Sequence, residues 1–169
     1  SLTVLENVVF ALKEHYDLEP KTALALARVK VVMAGLPVSA ANKFPTELSG
    51  GMRKRAGLAR TLALDPEILF LDEPTAGLDP ITAGGFDELL VTLRDALGLT
   101  VFLVTHDLDT LYRTCDRVAV LAQNKVLVVG PLSEIAAHPH PWIQDYFNGP
   151  RGRAANQQTE QGGVNESNS

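Results

Sequence analysis

The chain has 169 residues, of which 46% are hydrophobic and 21% charged, a composition that predicts one globular domain with a buried core. Its net charge is −5 and its one positive cluster is the "RKR" of residues 53–55, so no direct nucleic acid partner is expected. The single cysteine, Cys115, excludes an internal disulfide and a cysteine zinc site, and the lack of a long apolar run or signal peptide predicts a cytoplasmic chain.

The first third of the chain has the periodicity of two helices. The "TVLE" of residues 3–6 has the spacing of a capping box and predicts a helix over about residues 4–17. Pro20 suits the first turn of a second helix, which is expected to end near Gly35. The apolar faces comprise Leu5, Val8, Val9, Leu12 and Tyr16 in the first helix and Leu24, Ala27 and Val31 in the second.

Helices and short apolar runs alternate along the rest of the chain. A third helix follows "LSGG" and extends to about Ala63, and Asp79 and Pro80 are the predicted N-cap and first residue of a long helix that ends at Gly98. "EILFLDE" and "TVFLVTH" have the continuous apolar character of strands buried on both faces. "DLDTLYRT" predicts a short helix, and "RVAVLA" and "KVLVVG" a strand pair. This order indicates an α/β fold with a mostly parallel sheet.

The "LSGG" segment suggests a phosphate-binding helix mouth. Ser49 is the expected N-cap, and Gly50 and Gly51 have no Cβ to keep a ligand away from the unpaired N–H groups of the first turn. The alternative is structural: Ser49 caps the helix and the glycines form a turn.

Acidic and imidazole side chains follow the two predicted strands. Asp72 is a candidate Mg²⁺ ligand, because hard cations prefer carboxylate oxygen, and Glu73 is a candidate general base for a water that attacks a phosphate. His106 could donate a hydrogen bond to the same phosphate. The alternatives are an acidic pair that closes a strand and a histidine that faces solvent, and Asp79 has a capping role whatever else it does.

Four motifs of the chain resemble those of the nucleotide-binding domain of ATP-binding cassette (ABC) transporters and occur in the same order. They are "LSGGM" for the signature, "ILFLDE" for Walker B, "AGLD" for the D-loop and "VTHD" for the switch motif. The resemblance covers residues 1–148 and implies part of a P-loop NTPase fold. A helical signature subdomain is expected over about residues 1–62 and a catalytic α/β core over about 63–148. Residues 149–169 have few apolar side chains and are predicted to be a disordered tail.

The family resemblance implies a role for each candidate residue. Two such domains dock head to tail, and Ser49, Gly50 and Gly51 would grip the γ-phosphate of the ATP bound mainly by the partner. The other candidates are Asp72, Glu73 and His106, which would serve the ATP and Mg²⁺ of their own subunit, and Asp79, which would couple the two sites.

Two departures from the family pattern bear on activity. No GxxxxGK(S/T) loop occurs in the 169 residues, and the Q-loop glutamine and adenine-stacking aromatic are also absent, so this chain alone is expected to be inactive as an ATPase. Met52 occupies a signature position where most members have glutamine, and a thioether cannot replace an amide in hydrogen bonding. Met52 nevertheless belongs to the expected ATP-binding segment.

Within the family, the chain looks like the ATPase subunit of the bacterial maintenance-of-lipid-asymmetry (Mla) phospholipid transporters. The segments that carry this resemblance are "LSGGM", "AGLDPITAG" and "HPWIQDYFNGPRGRAA". This resemblance implies a transmembrane permease, a substrate-binding protein of the mammalian-cell-entry type, a small regulatory protein in some systems, and a peripheral location on the cytoplasmic face of the inner membrane. The alternatives are an ABC ATPase for another substrate, a soluble ABC ATPase of DNA repair or translation, and a truncated docking module without activity. The acidic charge and the uninterrupted short chain argue against the soluble class of DNA repair or translation, whose members typically carry coiled-coil insertions or tandem cassettes.

The end of the chain presents a compact apolar face on a predicted short helix. Trp142, Ile143, Tyr146 and Phe147 recur at helical spacing. Two interpretations remain open: the face packs on its own domain, or it reaches a second ATPase subunit or a regulator together with "GPRGR".

Overall fold

A computed structural model describes residues 2–149 of the chain, which fold as two compact units that divide between Val104 and Thr105. The predicted tail, apart from Gly149, and most of "GPRGR" lie outside the described residues. The first unit contains, in order, α1 (Val4–His15), α2 (Pro20–Met33), α3 (Gly50–Leu62), β1 (Ile68–Asp72), α4 (Pro80–Leu97) and β2 (Thr100–Val104). The alternation of helix and strand confirms the α/β class.

Local signals place the ends of these helices. Thr3 caps α1 in a reciprocal box, in which its N–H donates to the Glu6 carboxylate at 2.7 Å and the Glu6 N–H donates to the Thr3 hydroxyl at 3.2 Å. Pro20 is the first residue of α2, and α4 ends at Gly98, whose φ of 66° is the left-handed conformation that glycine adopts freely. The predicted starts of α1, α2 and α4 and the end of α4 are therefore confirmed, while α1 ends two residues earlier than predicted.

The core of the first unit joins its helices to one face of its sheet. Buried side chains from every helix and from β1 meet there, including Val8, Ala27, Leu62, Leu69 and Phe86. Burial of each large apolar side chain stabilises the unit by about 1.5–3 kcal/mol.

The apolar face of α2 differs from the predicted one by one position. Ala27 and Val31 are buried as expected, but Leu24 is 38% exposed and Ala23 is buried in its place. The buried face of α2 therefore includes position 23 instead of position 24.

The parallel pair β1–β2 is exposed on one side, contrary to the prediction of strands buried on both faces. The strands run in register from Ile68 opposite Thr100 to Asp72 opposite Val104. Leu69 is fully buried, whereas Phe70 and Phe102 are 71% and 57% exposed and contact each other at a centroid distance of 5.5 Å. Successive side chains of a strand point to opposite faces, and among the described residues helices cover only one face of this pair.

One guanidinium connects three helical segments of the first unit. Arg55 on α3 donates one hydrogen bond to the carbonyl of Gly35, just after α2, at 3.0 Å and another to the carbonyl of Gly85 on α4 at 3.1 Å. Gly35 has a φ of 70°, and a Cβ there would collide with the Arg55 guanidinium. The hydrogen bond between Arg55 and the Gly35 carbonyl therefore requires glycine at position 35 for two reasons: the left-handed φ and the lack of space for a Cβ.

The second unit is built around an antiparallel hairpin. Its elements are α5 (Leu108–Thr114), β3 (Arg117–Ala122), β4 (Lys125–Pro131), α6 (Leu132–Ala136) and α7 (Pro141–Asn148). Gln123 and Asn124 form the two-residue turn with φ of 52° and 60°, the positive pair of a type I′ hairpin. Among residues 2–149 the strands thus form one parallel and one antiparallel pair rather than one mostly parallel sheet.

The C-terminal helix packs into the second unit. Ile143 and Phe147 of α7 are almost fully buried in the same apolar cluster as Ile135. This supports the interpretation in which the face packs on its own domain, although Trp142 remains 46% exposed. No helix within residues 2–149 combines the length and apolar character that crossing a membrane requires.

Candidate functional site

The mouth of α3 has the geometry expected of an N-capped helix. Ser49 is extended, with φ of −63° and ψ of 166°, and its hydroxyl accepts a hydrogen bond from the Met52 N–H at 3.3 Å. Ser49 is exposed, and the preceding Leu48 is buried and anchors the turn. The capping prediction is confirmed, and the start of a helix has backbone donors of the kind that bind phosphate.

The two signature glycines face different surroundings. A Cβ added to Gly51 would lie 2.5 Å from the Thr82 methyl on α4, which is closer than real Cβ contacts allow. A Cβ at Gly50 would lie 3.4 Å from Leu78, an ordinary contact distance. Gly51 is therefore required for the approach of α3 to α4, a packing reason that the sequence did not reveal and that holds with or without a ligand.

The Met52 side chain packs against the protein core and is not fully exposed to solvent. Its side chain is half-buried against the core of the first unit, and its N–H bonds the Ser49 hydroxyl. This explains how a thioether is accommodated at this position. A contribution of Met52 to ATP binding stays a prediction.

The end of β1 holds the backbone of Glu73 in an unusual conformation. Glu73 has a φ of 44°, in the left-handed region, which costs a residue with a side chain about 1–3 kcal/mol. Its N–H donates to the Val104 carbonyl at the end of β2 at 2.8 Å. Its own carbonyl accepts the Lys54 ammonium at 2.9 Å and the Ala76 N–H at 3.2 Å. Such strain persists only where neighbouring contacts enforce it, and it is concentrated at functional sites.

Lys54 belongs to the positive cluster of residues 53–55, for which no role in the site is predicted from the sequence. The only sequence signal for the contact is the presence of a cation one turn after the signature. Its partner is a backbone carbonyl 19 positions away, which no motif records.

A cavity of about 480 Å³ lies between α3 and the end of β1. Its lining includes Gly50, Arg53, Lys54, Arg60 and Asp72. The first unit thus brings together one signature glycine, three cationic side chains and the carboxylate predicted to bind a metal. Opposite charges line one space, and a phosphate with a bound cation matches that distribution.

Asp72 fits the requirements of a magnesium ligand in part. It is exposed at the carboxyl end of β1, where ligands are found in parallel sheets. The described residues contain no group of three or more His, Cys, Asp or Glu side chains arranged around a metal. Magnesium bound through one or two carboxylates and substrate phosphates does not need such a group, so the chemistry of Asp72 suits that ion.

Asp79 caps α4 as predicted. Its carboxylate accepts the Thr82 N–H at 3.0 Å. Hydrogen bonds from the Thr82 side chain and then from its backbone lower the pKa of Asp79 below its usual value. Its capping role is confirmed, whereas a role in coupling two ATP sites stays a prediction.

His106 lies in the second unit, in the loop before α5. Its backbone carbonyl accepts a hydrogen bond from the Tyr146 hydroxyl on α7 at 2.7 Å. The Tyr146 ring stacks on Trp142 at a centroid distance of 5.2 Å with an interplanar angle of 8°. Helix α7 therefore holds the loop that contains the candidate switch histidine, a contact that the sequence did not predict.

Comparison with known proteins gives a consistent family. A family model described as "ABC transporter" matches residues 1–76. The chain is 43% identical over 143 residues to the methionine import ATP-binding protein MetN of Xanthomonas euvesicatoria, covering 82% of this chain and 41% of that protein. It is 36% identical over 148 residues to the intermembrane phospholipid transport system ATP-binding protein MlaF of Escherichia coli, covering 88% of this chain and 55% of that protein.

Solved structures give the same result. The chain superimposes on the dimeric ATP-binding cassette MJ0796, bound to ADP and Pi in a post-hydrolysis state, with a TM-score of 0.69 and 34% identity over 78% of this chain and 57% of that one. It superimposes on cbiO1 from Clostridium perfringens, part of an ABC transporter complex, with a TM-score of 0.73 and 29% identity over 94% and 61% of the two chains. The chain spans only about half the length of the curated relatives that it matches.

Proposed function

Because the chain belongs to the family of ABC transporter ATPase domains, we propose that it acts in the ATP-binding and hydrolysing subunit of a bacterial ABC transporter. The observation that best supports this is the constrained backbone of Glu73 at the end of β1, directly after Asp72 and beside the end of β2. A carboxylate held at this sheet edge is suited to act on a phosphate ligand.

The proposed reaction is hydrolysis of the terminal phosphoanhydride bond of ATP. Glu73 accepts a proton from the attacking water, and the water oxygen forms a bond to the γ-phosphorus while the bond to the bridging oxygen breaks. Asp72 would hold Mg²⁺, which would offset the phosphate charge. His106 donates a hydrogen bond to the γ-phosphate, and Ser49, Gly50, Gly51 and Met52 form the segment that contacts the ATP of a second subunit.

ATPase assays of the complete natural gene product test this proposal. Glu73→Gln removes the base and retains the size of the side chain, so we expect turnover to fall by about 10²–10⁴-fold while ATP binding is retained. Glu67→Gln is the matched control, because Glu67 precedes the opposite end of the same strand and is exposed. Near-normal turnover of Glu73→Gln would exclude Glu73 as the base. A wild-type protein without ATPase activity would favour the alternative, a docking module.

We further propose that the subunit works as a head-to-tail homodimer bound to a transmembrane permease on the cytoplasmic face of the inner membrane. The structural relative MJ0796 is dimeric, and Ser49, the N-cap of α3, is exposed in this chain. In this arrangement Asp79, at the start of α4, couples the two sites. Size-exclusion chromatography with light scattering of the Glu73→Gln variant, with and without ATP, is expected to show ATP-dependent dimers.

Phospholipid is the proposed cargo, with a mammalian-cell-entry-type binding protein and a small regulatory protein as further partners. The support is the similarity to MlaF, together with the methionine in "LSGGM". Methionine import is the second candidate, since MetN matches at 43% identity. The assembled transporter in proteoliposomes separates the two: phospholipid should stimulate its ATPase activity, whereas stimulation by methionine would favour the second candidate.

A further inference from the structure

We propose that Lys54 is a positioning residue that sets the backbone of Glu73 and links it to the signature helix. In this proposal Lys54 acts through the carbonyl of Glu73. The contact stands on the geometry of the first unit alone, and only its catalytic consequence rests on the proposed ATPase function.

The first support is the state of the Glu73 backbone. Its left-handed φ of 44° is unfavourable for glutamate and must be maintained by contacts on both sides of the residue. The N–H is held by the Val104 carbonyl, and the carbonyl is held by Lys54 and the Ala76 N–H. The Lys54 contact is made by a charged donor, and charge-assisted hydrogen bonds are stronger than neutral ones.

The second support is the position of Lys54 in α3. It lies three and four residues after Gly51 and Gly50, so it shares a helix face with the signature glycines one turn away. It is half-buried and lines the cavity together with Gly50 and Asp72. Because a helix turn is rigid over this distance, displacement of the mouth of α3 displaces the ammonium that holds Glu73.

This arrangement gives the signature helix a direct connection to the base of its own subunit. When the mouth of α3 engages a phosphate, the position of Lys54 is set, and with it the direction of the Glu73 carboxylate. Hydrolysis at one site would thereby depend on occupancy at the other, without any contact between the two nucleotides. A purely structural role for Lys54, by contrast, would affect folding but not the efficiency of Glu73.

Kinetics of the complete natural gene product distinguish these roles. For Lys54→Met we expect kcat to fall by about 10–100-fold, the loss typical of a small misplacement of a reacting group, with KM for ATP changed by less than about twofold. Lys54→Arg keeps a cationic donor and should recover most of kcat. Lys21→Met, an exposed lysine on α2, is the matched control and should leave kcat unchanged.

A double variant gives the sharpest test. If Lys54 acts through Glu73, Lys54→Met should cause no additional loss of turnover in a Glu73→Gln background, whereas independent effects would multiply. Multiplicative losses, or a normal kcat in Lys54→Met, would overturn the proposal. Lys54→Gln replaces Lys54→Met in these assays if the methionine variant does not fold.

A spectroscopic measurement keeps the test independent of activity. The carbonyl ¹³C resonance of selectively labelled Glu73 should shift in Lys54→Met and stay in place in Lys21→Met. A wild-type protein without ATPase activity would refute the proposed function. The contact between Lys54 and the Glu73 carbonyl would then be tested by this resonance alone. An unchanged Glu73 resonance in Lys54→Met would overturn the inference whatever the ATPase result.

Discussion

Gly51→Ala tests whether a signature glycine is required by packing as well as by ligand binding. The added Cβ would lie 2.5 Å from the Thr82 methyl, about 0.9 Å inside the 3.4 Å at which ordinary contact begins. Overpacking of this kind costs about 1–3 kcal/mol, and alanine returns about 1 kcal/mol of helix propensity. We therefore expect Gly51→Ala to lower the free energy of unfolding by up to about 2 kcal/mol.

A double-mutant cycle with Thr82→Ser isolates this clash. Serine removes the methyl and keeps the hydroxyl and N–H that bond Asp79, so the cap of α4 is retained. In the Thr82→Ser background Gly51→Ala should become neutral or stabilising, with a coupling energy of about 1–3 kcal/mol in urea unfolding. Gly50→Ala, which meets only the end of the Leu78 side chain, is the control. Equal destabilisation by Gly51→Ala in both backgrounds would refute the packing explanation.

Two further predictions concern the cap of α4 and the loop of His106. Since its hydrogen bonds lower the pKa of Asp79, its contribution to stability is present above about pH 4 and is lost as the pH falls through the folded-state pKa. The stability of wild type relative to Asp79→Asn should therefore decrease below about pH 4, and a pH-independent difference would contradict this. Tyr146→Phe removes the donor to the His106 carbonyl and keeps the ring on Trp142, so the free energy of unfolding should fall by about 0.5–1.5 kcal/mol, and an unchanged value would show that the hydrogen bond adds nothing.

Features set by a few neighbouring residues could be predicted from the sequence. The structure confirms four such features: the capping box of Thr3, the caps at Ser49 and Asp79, and the end of α4 at Gly98. Each depends on a hydrogen bond or a backbone conformation within one helical turn. The residue types at those positions therefore contain the necessary information.

Features that depend on distant segments could not be predicted in the same way. An apolar run such as that of β1 does not reveal which face a neighbour covers, and Phe70 is consequently exposed where burial was expected. The contact of Lys54 with the Glu73 carbonyl joins a helix to a backbone group, and a carbonyl has no residue type to recognise. Gly51 had two compatible explanations, and only the position of Thr82 shows that packing is one of them.

The double hydrogen bond of Arg55 has a consequence for how related sequences evolve. Lysine is a single ammonium donor without the planar fork of arginine, so it cannot reproduce bonds to both the Gly35 and Gly85 carbonyls. Selection for folding alone would keep Arg55, Gly35 and Gly51 in a homologue that no longer uses ATP. Loss of Glu73 is therefore a better marker of a pseudoenzyme than any change in the glycines and arginine of the signature helix.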